Sequence, residues 1–363
     1  MDRDTLQSRA ASKLDESRRL LCTWATGVGK SGIVLKFLQK HPDFTCLILV
    51  PESNNIDNWL AEFDKFGIST LNVQIACYAS IHKYKDTNWD LIVFDEMPHL
   101  DTYKRLTICR SLTGKFILAL GAVIDDDERS SLQSVYGNFR EDHIPLHLAI
   151  QYGLLPEPRV NILHVKLDDT EKRYWSKGRV YTALDLYTMV TEKVKRAVDM
   201  YNASSSEFNR RKMLSAGSER KRLLGSLKQE KLRMLCQRLK EEGKRFICFC
   251  SSIQQAEMIG EKNAFTSKTP ASAKLIERFN HHEIDSLYVV GKLIEGQNLR
   301  DIDCGILNQL GGTQRITIQE CGRIMRSQNP VIYVLVMDES KDDSFLYTLT
   351  SSVPEKYIKH YNF

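Results

Sequence analysis

The chain of 363 residues contains no apolar run long enough to span a bilayer. Its opening Met1-Asp2-Arg3-Asp4 is polar and lacks the apolar core of a secretory signal. A soluble protein of the cytoplasm is therefore expected, with nucleoid or nucleus left open. No Cys-x-x-Cys pair occurs, and the nine cysteines are an odd number. Several of them lie inside apolar runs, as in Phe246-Ile247-Cys248-Phe249-Cys250. Buried free thiols in a reducing compartment are expected, not disulfides or zinc ligands. No repeat of fixed period is visible. With 42% hydrophobic and 27% charged residues, a disordered or fibrous chain is excluded. At this length two domains are expected, each able to bury a core without covalent staples.

Charge is not in large excess overall, at +5, but it is unevenly placed. Residues 171–245 hold 20 Lys and Arg against 9 Asp and Glu, or +11, which leaves −6 for the rest. This pattern fits a polyanion partner, and it equally fits a solvated helix face.

The first 125 residues alternate apolar strands with helical stretches. Leu20 to Trp24, Thr45 to Val50, Leu91 to Phe94 and Lys115 to Leu120 read as buried parallel strands, with helices at Ser31 to Gln39 and Asn55 to Phe66. This is the pattern of a doubly wound α/β domain, expected over residues 1–150. Gln151 to Val160, with two prolines and a glycine, reads as the connection to a second domain over 151–363. That domain opens with a basic, helical region at 170–244, broken at Ala203-Ser204-Ser205-Ser206. It continues with strands at Phe246 to Cys250, Ser286 to Val290, Cys304 to Leu307 and Val331 to Val336. The expected fold is two tandem α/β parallel-sheet domains, the second carrying a basic helical elaboration.

Three clusters carry chemistry. Ala25-Thr26-Gly27-Val28-Gly29-Lys30-Ser31 follows a strand and opens a helix. Its small residues let backbone N–H groups approach phosphate oxygens, Lys30 can reach the β- and γ-phosphates, and Ser31 can ligate Mg²⁺. The full phosphate-loop pattern has glycine where this chain has Trp24, and the competing reading is a helix-capping glycine turn. Asp95 and Glu96 end an apolar strand, where ligands bind in open α/β sheets. There Asp95 can hold Mg²⁺ and Glu96 can orient and deprotonate a water. Far downstream, Arg323 and Arg326 are three apart and share one helix face; the competing reading is a pair of surface arginines.

With these clusters in this order, the chain resembles the superfamily 2 helicases and translocases of the DExH type, built from two RecA-like domains. Residues 25–31 look like motif I, and Asp95-Glu96-Met97-Pro98-His99 like motif II, with Pro98 displacing the histidine by one place. Gln319 to Arg326 look like motif VI. Weaker matches are Leu47 to Pro51 with motif Ia, Phe249 to Ser252 with motif IV and Glu295 to Leu299 with motif V. Motif III departs from the family: Ile117 to Leu120 run into Gly121-Ala122-Val123, without the usual hydroxyls.

The resemblance implies an ATP- and Mg²⁺-dependent nucleic-acid motor, a DNA helicase that couples hydrolysis to movement along or separation of strands, with DNA favoured over RNA. It implies catalysis by Glu96, Lys30, Gln319, Arg323 and Arg326, with His99 linking the ATP site to the track. The nucleotide would be held by Gln7, Thr26, Gly27, Gly29, Lys30, Ser31 and Asp95, and Mg²⁺ by Ser31 and Asp95. Pro51, Gly296 and Asn298 would meet nucleic acid, together with Arg210, Arg211 and Lys212 of the basic region. Tyr174 and Trp175 are candidates for base stacking and equally for hinge packing. Competing functions are a double-strand translocase that separates nothing, a nucleic-acid-binding subunit of a larger complex, and a small-molecule kinase. The protein is expected as a monomer or as one part of a larger complex.

Overall fold

A computed structural model describes residues 2–97, 103–176, 178–269, 272–290, 299–309, 324, 327–351 and 353–363. The chain divides into two compact units, the first running through Glu157 and the second starting at Pro158.

The first unit contains helices α1 (Arg3–Ser17), α2 (Ser31–Lys40), α3 (Ser53–Lys65), α4 (Tyr103–Cys109), α5 (Asp126–Tyr136) and α6 (Leu146–Gln151). Its strands are β1 (Arg19–Trp24), β2 (Cys46–Val50), β3 (Val73–Cys77), β4 (Asn88–Phe94), β5 (Thr113–Gly121) and β6 (Arg140–Ile144). They form one parallel sheet in the order β3-β2-β4-β5-β1-β6. The inner strands β1, β2, β4 and β5 are apolar runs because helices cover both faces. The edge strands β3 and β6 carry alternating exposed residues and went unread in the sequence.

The second unit has a parallel sheet in the order β11-β12-β10-β13-β14-β7-β15. Its strands are β7 (Arg159–Val165), β10 (Phe246–Cys250), β11 (Ala264–Phe265), β12 (Ser286–Val290), β13 (Cys304–Leu307), β14 (Val331–Met337) and β15 (Ile358–Asn362). Helices α10 (Ile253–Gly260), α11 (Ser272–Asn280) and α12 (Lys341–Thr350) belong to the same unit.

The basic region differs from the all-helical expectation. It opens with an antiparallel hairpin, β8 (Tyr174–Ser176) and β9 (Arg179–Tyr181), that leaves Trp175 72% exposed. Only then do α7 (Ala183–Ala203), α8 (Glu207–Leu227) and α9 (Gln229–Glu241) follow. α7 starts on a capping box between Thr182 and Asp185, and Ser206 caps α8, so the chain breaks where the serine run stands. α7 and α8 pair through Val194, Ala197 and Ala216, with Val198 and Met213 against them.

The boundary between the units, Glu157 and Pro158, falls inside the expected connection at 151–160, and that connection is more structured than a plain linker. Leu154 and Leu155 are buried, and Arg159 and Val160 already belong to β7. The eight described cysteines are free thiols, seven of them buried. No helix among the described residues is long and apolar enough to cross a membrane.

Candidate functional site

In the first unit, β4 and β1 both flank β5. Parallel strands lie roughly 4.8 Å apart, so the loop after β1 and the carboxylates after β4 leave the same sheet edge about 10 Å apart. Phe94 pairs with Ala119 and Thr23 with Gly121, so all three strands end nearly level.

After Trp24 the chain turns through Gly27 and Gly29, at φ +90° and +95°, into α2. Side chains rarely adopt these angles. The loop is also tightly backed. A Cβ on Gly29 would lie 2.8 Å from Gln7 Nε2, and one on Gly32 would lie 2.2 Å from the same atom. Gln7 donates from Nε2 to Gly29 O at 2.8 Å, so it braces the loop backbone directly. Arg3 donates to Gly27 O at 3.3 Å and to Leu154 O at 3.1 Å, while Leu155 packs against Gly27. Lys30 Nζ donates to Trp24 O at 3.2 Å, and Ser31 is the first residue of α2. Thr26 Oγ1 is buried with no partner among the described residues.

Trp24 stands where the phosphate-loop pattern has glycine, for a structural reason. Its side chain is fully buried, and its Nε1 donates to Asp142 Oδ1 at 2.8 Å. Asp142 is itself buried and accepts from Arg9 at 3.2 Å and from Lys13 at 2.5 Å. The glycine's place is thus taken by an indole that ties β1 to β6 and α1.

Asp95 follows β4, and Glu96 adopts φ +46°, which turns the chain sharply off the strand. Asp95 Oδ2 accepts from Trp59 Nε1 at 2.8 Å, and Oδ1 accepts from the Glu96 N–H at 3.1 Å. Tyr78 donates to Asp95 O at 2.8 Å. Burial, and then the neighbouring Glu96 charge, push the Asp95 carboxyl up to about 6; the Trp59 hydrogen bond and the Lys30 ammonium pull the other way. Trp59 and Tyr78 had no signal in the sequence, because their contacts to Asp95 span 36 and 17 residues.

These groups fit a nucleoside triphosphate with a divalent cation. The first amides of a helix lack intrahelical acceptors and favour an anion. Thr26 Oγ1 needs a partner, a carboxylate and a hydroxyl are available as hard oxygen donors, and an ammonium stands beside them.

Of the other expected residues, Pro51 is half-buried just past β2. Arg210 and Arg211 are exposed on the first turn of α8 and share Glu207, at 3.4 and 3.2 Å, while Lys212 lies 4.4 Å over the Phe208 ring. His99, Gly296, Asn298, Gln319, Arg323 and Arg326 lie outside the described residues.

No protein-family model and no curated protein matches the chain in sequence. Solved structures do match in fold. The Hef helicase domain of Pyrococcus furiosus is 13% identical with a TM-score of 0.58, over 94% of this chain and 97% of that one. A putative HsdR subunit of a type I restriction enzyme from Vibrio vulnificus YJ016 is 16% identical with a TM-score of 0.59, over 98% of this chain and 67% of that one. The DNA-bound Type ISP restriction-modification enzyme LlaBIII is 13% identical with a TM-score of 0.57, with all of this chain matching 31% of that one. The chain therefore shares the fold of these structures, two tandem RecA-like α/β domains.

Proposed function

We propose that the protein is an ATP- and Mg²⁺-dependent DNA motor that couples hydrolysis to movement along, or separation of, strands. The observation that carries this reading is the level placement of the glycine loop and the Asp95–Glu96 pair at one sheet edge, a single strand apart. Lys30 moves from the Trp24 carbonyl to the β- and γ-phosphates. Ser31 and Asp95 would hold Mg²⁺, which would supply positive charge against the phosphates. The sharp turn at Glu96 presents a carboxylate beside Asp95, where it takes a proton from the attacking water. Thr26, Gly27 and Gly29 cradle the phosphates, with Gln7 supporting the loop from behind. Gln319, Arg323 and Arg326 supply the remaining positive charge by resemblance.

Pro51, Gly296 and Asn298 are proposed to follow the nucleic-acid backbone, with Arg210, Arg211 and Lys212 as phosphate contacts. Among the described residues, the two exposed arginines pair with a solvent-screened carboxylate, a partner that a phosphate can displace. The relatives that share the fold include a helicase domain and a restriction enzyme bound to DNA, which supports a DNA motor. The missing hydroxyls of motif III, where β5 runs into Ala122 and Val123, favour a translocase that moves along duplex without opening it.

Rates of ATP hydrolysis with single-stranded DNA, duplex DNA, RNA and no polymer test the proposal. Strong stimulation by DNA is expected, and equal rates in all four would remove it. A fork-opening assay then separates strand separation from translocation.

A further inference from the structure

Two of the described basic residues of the 171–245 segment are buried, Arg245 at its end and Lys228, and only Lys228 is fully so. Lys228, at the junction of α8 and α9, is fully buried, as is Asp342 of α12. Lys228 Nζ donates to Asp342 Oδ2 at 2.7 Å and to Leu335 O at 2.9 Å. The same carboxylate accepts from the Met337 N–H at 3.1 Å and from Gln309 Nε2 at 2.9 Å. One turn earlier, Gly225 O accepts from Gln255 Nε2 at 2.7 Å. Gln255 Oε1 accepts from Ser251 N, Ser251 Oγ and Asn308 Nδ2, each at 2.9 Å. A Cβ on Gly225 would stand 2.1 Å from Ser251 Oγ, so α8 and the end of β10 are in direct contact. The last turn of α8 is thus fastened to the ends of β10, β13 and β14.

Burying an ion pair costs desolvation, and apolar side chains of similar volume often hold a core equally well. Stability alone therefore gives little reason for Lys228 and Asp342; the fixed position they give α8 gives a better one. Asn308 Oδ1 and Gln309 Oε1 are buried without partners among the described residues, a condition that disfavours this arrangement relative to one that pairs them. A connection with two arrangements has this character. By sequence, β13 leads on to Gln319, Arg323 and Arg326.

We propose that Lys228, Asp342, Gln309, Gln255 and Asn308 are positioning residues that pass nucleic-acid contact on α8 to the ends of β10 and β13. This rests on the motor reading above.

The test is the double variant Lys228→Met/Asp342→Leu, with Gln309→Met as a milder variant that removes no charge. Two measurements are made on the full chain. Hydrogen exchange without nucleotide or DNA, read at residues 224–232 and 304–309, is expected to quicken about tenfold in the double variant. Stimulation of ATP hydrolysis by DNA is expected to fall roughly fivefold while the rate without DNA stays unchanged. A folded double variant with wild-type exchange overturns the linkage, and one with wild-type stimulation overturns the transmission. Should the double variant not fold, Gln309→Met decides on the same two readings. A wild-type protein that DNA does not stimulate overturns the motor reading instead, and exchange still reports on the linkage.

Discussion

Trp59→Phe is the sharpest perturbation of the proposed metal site, because it removes a single donor. Trp59 Nε1 lies 2.8 Å from Asp95 Oδ2, and the indole is buried against Phe63. Phenylalanine keeps most of that packing and loses the N–H. A hydrogen bond to a charged group is worth about 1.5–3 kcal/mol, and 1.36 kcal/mol corresponds to about one pH unit of midpoint. Asp95 is only partly buried, which argues for the lower end. The carboxyl, already pushed up to about 6, should therefore rise by about one pH unit in the variant. Mg²⁺ competes with the proton for this group. From those two midpoints, the variant should need about threefold more Mg²⁺ than wild type at pH 6.5, about eightfold more at pH 5.5, and the same amount at pH 8. The assay is the Mg²⁺ concentration giving half-maximal ATP hydrolysis at each pH. The protonation of ATP itself is common to both proteins and drops out of the comparison. Identical Mg²⁺ demand at every pH would refute the reasoning, and so would a deficit that does not change with pH, since that would report displaced geometry.

Other outcomes follow from the same site and its surroundings. Glu96→Gln should lower turnover by about 10²- to 10⁴-fold while ATP still binds, measured by rate and by nucleotide titration. In the metal-free protein a raised carboxyl favours folding below its unfolded value and loses that contribution as pH rises through about 6. Asp95→Asn should therefore stabilise the fold by about 1–2 kcal/mol above pH 6, after allowing for partial exposure, and leave it unchanged near pH 4. Thermal melts at both pH values check this. Gly32→Ala places a Cβ against the Gln7 amide and should cost about 1–3 kcal/mol of stability and weaken ATP binding. Replacing Arg210, Arg211 and Lys212 together by Ala should weaken DNA binding equally for all sequences and flatten its salt dependence by about two to three contacts.

Much of the first unit was legible in the sequence because β1, β2, β4 and β5 are covered on both faces and so read as unbroken apolar runs. β6, Arg140–Ile144, carries four charged or ionisable residues and sits at the sheet edge, where solvent accepts Arg140, Glu141 and His143 while the buried Asp142 pairs with Arg9 and Lys13. β15 is exposed for four of its five residues and is held mainly by its ladder to β7, a contact that composition does not encode. The glycine loop and the Asp95–Glu96 pair were legible because local chemistry requires those residue types. Trp59 was not, since an indole beside a distant carboxylate leaves no pattern along the chain. Lys228 was misread for a related reason. Counted by charge it belongs with the basic face, and only packing reveals that its ammonium is spent inside the core.

The brace formed by Arg3 gives the first unit an unusual economy of parts. One guanidinium touches the carbonyl of Gly27 and the carbonyl of Leu154, two residues short of Pro156 and the crossing into the second sheet. Whatever displaces the glycine turn must tug on the strap that leaves the unit. A cut ahead of Leu6 would then do more than trim a tail: it would remove the tie between the glycine loop and the segment that leads on to β7.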